Sequence, residues 1–181
     1  MTPMLGIMAS SRLVASTAYE SIATATGTGS SDTITFSSIP STYTSLQIRF
    51  NVLTATTGSN IVVRFNSDTG ANYSRHQLYG DGTTVTASGT ASTTSFFAFG
   101  LTTSTTNPTV AIIDLHDYSS TANYKTARVL CGLDANGSGS IWLNSGSWRN
   151  TAAVTSVSIT QTSSNAFGTG STFALYGIKG A

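Results

Sequence analysis

Asp114-Leu115-His116-Asp117 places two carboxylates and an imidazole within four residues. On an extended strand Asp114 and His116 share a face while Asp117 points the other way. That is the beginning of general acid–base chemistry. A hydrolase would also need a nucleophile and an acid to orient the imidazole, and among 28 serines a nearby hydroxyl carries little information. The cluster reads more simply as a strand end leaving the core at a turn, and no catalytic residue is assigned. Asp134-Ala135-Asn136-Gly137-Ser138-Gly139 opens like a calcium loop, but the twelfth position, which needs a carboxylate, is Ser145. A hairpin turn accounts for it. Asp32, Asp68 and Asp81 lie in turn clusters, where Asp bonds to local backbone amides. The single cysteine, Cys131, sits in an apolar stretch and reads as a small buried hydrophobe. Neither a metal nor a cofactor is expected.

Two other groups suggest binding. Tyr73, Arg75, Gln77 and Tyr79 alternate along a strand-like stretch, so they share one face. Aromatic and arginine side chains together serve as interface anchors or as sugar-stacking platforms; an outer strand packed on a neighbouring loop would look the same. Trp148 belongs with them as a stacking residue or a core filler, and so does Trp142. Near the start, Leu5, Ile7, Met8 and Leu13 are apolar without a clear sheet partner. They are expected to form an arm that docks on a neighbour. The candidate interface is therefore Leu5, Ile7, Met8, Leu13, Tyr73, Arg75, Tyr79 and Trp148.

The elements that must carry these groups are strands. The pattern alternates at Leu46 to Val52 and at Ile61 to Asn66, with a shorter version at Thr33 to Phe36. Val110 to Leu115 is apolar on both faces and predicts a central strand covered on both sides. Phe96 to Phe99, Lys125 to Cys131, Ile141 to Leu143, Val154 to Ile159 and Thr172 to Ile178 complete the set with the Tyr73 stretch. Gly, Asn, Asp and Pro clusters separate them. The expected fold is all-β, an antiparallel β-sandwich of jelly-roll type with eight to ten strands. Residues 1–20 are expected to be an arm or first strand, and residues 21–181 a single sandwich domain.

Composition excludes several classes. Of 181 residues, 32 are Thr and 28 are Ser, about a third of the chain, while charged residues make up 8% against roughly 25% in an average domain. A single glutamate, Glu20, disfavours a helical bundle. The eight Lys and Arg are scattered, leaving no electrostatic footprint for nucleic acid. No apolar run approaches the roughly 20 residues of a membrane span. The apolar start is not preceded by a basic residue and is interrupted by Arg12, unlike a secretion signal. Threonine suits a pleated strand and keeps its outer face soluble without charge. Sheet proteins usually guard edges and outer faces with Lys, Glu or Pro. Their scarcity here predicts faces that are covered in use, through contacts only weakly sensitive to salt.

Two stretches resemble a known group. They are Val63-Arg64-Phe65-Asn66-Ser67-Asp68-Thr69-Gly70-Ala71-Asn72-Tyr73-Ser74, continuing to Gly82, and Ser147-Trp148-Arg149-Asn150-Thr151-Ala152-Ala153-Val154-Thr155-Ser156-Val157, closing with Gly170 to Ala181. Together with Leu5-Gly6-Ile7-Met8-Ala9-Ser10-Ser11, they resemble small virion structural proteins of tailed bacteriophages. The resemblance implies a β-sandwich, commonly a homotrimer, with no catalytic residues to carry over. It implies a cement or decoration subunit assembled in the host cytoplasm, bound to the major capsid protein on the capsid exterior, with neither nucleic acid nor membrane as partner. The alternative is a tail-fibre or receptor-binding module that recognises host surface polysaccharide.

Overall fold

A computed structural model describes residues 18–54, 59–100 and 104–180. These form twelve strands and no helix: β1 (Tyr19–Thr26), β2 (Thr33–Phe36), β3 (Ser45–Val52), β4 (Ile61–Phe65), β5 (Tyr73–Gly80), β6 (Val85–Thr93), β7 (Phe96–Phe99), β8 (Thr109–His116), β9 (Lys125–Asp134), β10 (Gly139–Trp148), β11 (Val157–Gln161) and β12 (Thr172–Ile178). An eight-stranded sheet runs β1-β12-β3-β8-β9-β10-β5-β6, and a four-stranded sheet runs β2-β11-β4-β7. Every pairing is antiparallel.

Setting aside the β5–β6 and β9–β10 hairpins leaves β1-β12-β3-β8 facing β2-β11-β4-β7. The pairs β4·β7, β3·β8, β2·β11 and β1·β12 are then nested, as in one long hairpin rolled up on itself, which is the jelly-roll path. The hairpins extend one sheet to twice the width of the other. Side chains alternate as expected of half-buried strands. Ile48, Ile113, Val129 and Leu175 point inward from the wide sheet against Val63, Phe65, Phe99 and Ile159 of the narrow one. Where β7 crosses β10, Gly146 lets Phe96 lie directly on the backbone; a Cβ there would stand 2.0 Å from the ring.

The strand count exceeds the expected eight to ten. The extra strands are β1 and β6, whose sequences YESIATAT and VTASGTAST lack a clear apolar alternation. Both are edges, so neither needs a strongly apolar face. Because β1 begins at Tyr19, the expected boundary at residue 20 falls inside a strand.

One buried cation ties the loops at one end of the sandwich. Lys125 is 1% exposed, and its Nζ donates to the carbonyl oxygens of Ser120 and Asn123, both at 2.7 Å, and of Thr151 at 3.3 Å. All three ammonium protons are therefore used. Replacing the ammonium by a thioether keeps the stem packed but strands three part-buried acceptors. Lys125→Met should lower unfolding stability by about 2–4 kcal/mol, read from the urea midpoint at constant m.

Candidate functional site

The extra width of the large sheet places a broad apolar surface outside. On β8, β9 and β10, residues of even or odd number alternate between the core and solvent, and the outward set is not polar as it would be on a solvated sheet. Register places Ile112 beside Leu130, Leu130 beside Leu143, Leu143 beside Leu78, and Leu78 beside Ala87. An apolar row thus crosses five strands. One step along the strands, Val110, Gly132, Ile141, Gly80 and Val85 form a second row. Leu130 is 51% exposed, Ile141 62% and Val85 77%.

The expectation that Val110 to Leu115 is covered on both sides is therefore corrected. Ala111, Ile113 and Leu115 face the core, whereas Val110 and Ile112 face out. Seven large apolar residues of the two rows, 40–77% exposed, form one continuous surface, comparable to or larger than the roughly 300–600 Å² of the largest patch on a typical monomer. The missing side chains at Gly132 and Gly80 hollow the second row into a concavity of about 880 Å³, bordered by Val110, Ile141 and Asp134. A second hollow of about 540 Å³ lies between Leu78, Leu143 and Arg128.

Polar residues frame this surface. In the row beyond Ile112 and Leu130, Asp114 accepts from Gln47 Nε2 at 2.8 Å and pairs with Arg128 at 3.1 Å. Burial pushes the Asp114 carboxyl up, but the Gln47 and Arg128 hydrogen bonds outweigh it and leave the group below its ordinary range. His116 Nδ1 lies 3.0 Å from the Ser45 hydroxyl. The Asp114 carboxylate is thus committed to Gln47 and Arg128, and Asp117 sits in the following turn with φ 52°.

The four candidate interface residues in the described region do not form a surface platform. Tyr73 and Trp148 are buried, stacked on each other at 6.4 Å between ring centroids and both packed on Phe65. Half-buried Arg75 lies over the Phe97 ring at 4.3 Å. Tyr79 stacks on Trp142 at 4.2 Å. All four lie on the inner face of the wide sheet, where Tyr73, Trp148 and Arg75 pack against Phe65 and Phe97 of the narrow one. Leu5, Ile7, Met8 and Leu13 lie outside the described residues.

The two stretches that carry the family resemblance pack against each other. Asn66, with φ 51°, accepts through Oδ1 from the amides of Thr155 and Ser156 and donates through Nδ2 to the Ala153 carbonyl. Asp68 accepts from the Trp148 indole at 2.7 Å, from Asn72 at 2.9 Å and from the Gly70 amide at 2.8 Å. Arg149 N donates to Asn72 O. Local turn geometry and a buried indole thus explain why these residue types occur together.

Asp134 to Gly139 is the turn of the β9–β10 hairpin. Asp134 accepts from the Asn136 amide, and Ala135 N donates to Ser138 O. Among the described residues no cluster of three or more metal-ligating side chains occurs. The Cys131 thiol is buried beneath the outer face and donates to Ala98 O, and burial pushes its pKa up to about 12. No helix of the described residues is long and apolar enough to cross a membrane. Comparison with protein-family models, curated proteins and solved structures finds no match to the chain.

The hydrogen bond from Trp148, then that from Asn72, hold the Asp68 carboxyl below its usual range. A depressed carboxylate stabilises the fold above its unfolded pKa, and this contribution disappears as pH falls through the lower folded value. Asp68→Ala leaves the buried indole without an acceptor and should cost about 1–3 kcal/mol in chemical unfolding at neutral pH. The gap from the parent protein should narrow under acid, because the parent loses the same contribution there.

Proposed function

We propose that this chain is a structural subunit of a tailed-bacteriophage virion, a cement or decoration protein that binds the outer capsid shell, as a trimer, and stabilises it. The apolar outer face of β8, β9, β10 and β5 carries this reading. A freely diffusing subunit would expose that face to water continuously, whereas a subunit fixed in an assembly buries it. The resemblance of the two motif stretches to virion proteins points the same way. A receptor-binding module would stack Tyr73 or Trp148 on host polysaccharide, and both are spent on the core.

A subunit that binds assembled shell and not free capsid protein stabilises the shell by linkage, and many copies multiply the effect. The major capsid protein is the proposed partner, and no reaction is proposed. Cement contacts of this kind rest on apolar burial and hydrogen bonds, so occupancy should persist in high salt. Particles assembled without the subunit should release DNA at a lower temperature than complete particles, followed by dye access during a thermal ramp. Complete particles should carry hundreds of copies by quantitative mass spectrometry. Coincident melting, or a few dozen copies, would count against cementing and in favour of a fibre module.

A further inference from the structure

We infer that the outer face is self-complementary and pairs with the same face of a second copy, strand β9 crossing its counterpart about a two-fold axis. This rests on the reading of that face as an assembly surface and names its occupant.

The argument begins with the outward residues of β9, which run Arg128, Leu130, Gly132, Asp134. They are arranged about Cys131 so that opposites lie at equal distances: a large apolar side chain against a missing one, and a cation against an anion. Two sheets stacked face to face, with an axis in the interface and perpendicular to the strands, bring residues equidistant from Cys131 together. Leu130 then enters the hollow at the partner's Gly132, and Arg128 approaches the partner's Asp134. An axis parallel to the strands would instead set Leu130 against Leu130 and Arg128 against Arg128.

The neighbours agree with the first arrangement. Val110 and Ile141 flank Gly132 and wall the hollow, while the same axis sets Ile112 over the partner's Val110 and Leu143 over the partner's Ile141, apolar on apolar. The hollow is open within its own subunit, since a Cβ on Gly132 would meet its nearest neighbour, Ser140 O, at 3.5 Å. Arg128 already holds Asp114, so the partner's Asp134 would complete a charge network at the rim. Seven large apolar residues from each copy would enter the contact, on the scale of the roughly 1,200–2,000 Å² of a stable specific interface. Aligned sheets pack in this way in sandwich cores. An isologous contact uses up the face on two copies; in the proposed trimer it would join a subunit of one trimer to a subunit of another, through a face that the threefold contact leaves free.

The test exchanges knob and hole. Sedimentation equilibrium of the full chain at micromolar concentration and high salt should show reversible pairing. Gly132→Leu fills the hollow and Leu130→Gly removes the knob; each should weaken pairing by about tenfold or more while leaving the circular dichroism spectrum unchanged. The double variant L130G/G132L restores a knob facing a hole across the axis and should recover pairing. General apolar stickiness predicts the reverse for Gly132→Leu, which adds apolar surface. A monomeric parent protein, undiminished pairing in Gly132→Leu, or a double variant no better than the single ones would each overturn the inference. Unpaired protein that still occupies and stabilises shells would refute the pairing and leave the cement reading standing. Paired protein that does not bind shells would do the opposite.

Discussion

The unequal width of the two sheets governs this molecule. A four-stranded sheet cannot cover all of an eight-stranded one, so the wide sheet extends past it, and the narrow sheet's edge strand β7 packs against β9, β10 and β5. The inner face of the β5–β6 and β9–β10 hairpins is closed by β7 together with large side chains: Trp142 stacks on Tyr79, Arg75 lies over Phe97, and Asn144 donates to the carbonyls of Phe97 and Ala98. Among the described residues, no other strand covers their outer face. The same geometry therefore explains the half-buried aromatic cluster on one side and the apolar expanse on the other.

Holding the projecting part in place requires fixed loops at its base. The Asn66 and Asp68 side chains bind the end of β4 to the chain that follows β10, while Lys125 gathers three carbonyls from the loops around β9 and β10. Asn66 and Lys125 are satisfied mainly by backbone and Asp68 mainly by the Trp148 and Asn72 side chains, which suits a chain with few charges to spare. The unusual strings around Arg64-Phe65-Asn66 and Ser147-Trp148-Arg149 are thus explained by folding.

Much of the fold was legible in the residues. Leu46 to Val52 and Ile61 to Phe65 alternate because one face is buried, and the turns at Asp81 and Asp134 bond to their own backbone as Asp does in turns. The edges β1 and β6 were not legible, because Thr, Ser, Ala and Gly produce the same pattern in a strand as in a loop. The surface was hidden for a different reason. Val110 to Leu115 is apolar at every outward position but Asp114, which a buried strand and a strand awaiting a partner display equally. Tyr73 and Trp148 misled because aromatic residues serve cores and interfaces alike, and only the Asp68–Trp148 hydrogen bond, distant by 80 residues in sequence, distinguishes them. The signal that could have revealed the outer face is the repetition of large apolar residues at both parities of β8, β9 and β10 together.

The position of Cys131 has a practical consequence. Its sulfur lies one residue from both Leu130 and Gly132 but on the opposite side of the sheet, sealed and held in its thiol form. Alkylating reagents that require thiolate will pass it by while the sheet is closed. A cysteine introduced elsewhere on the exterior would then be the sole reactive handle, so fluorophores or heavy atoms could be attached without first removing the native sulfur. Modification of Cys131 itself would serve as a clock for the rare openings of the central strands.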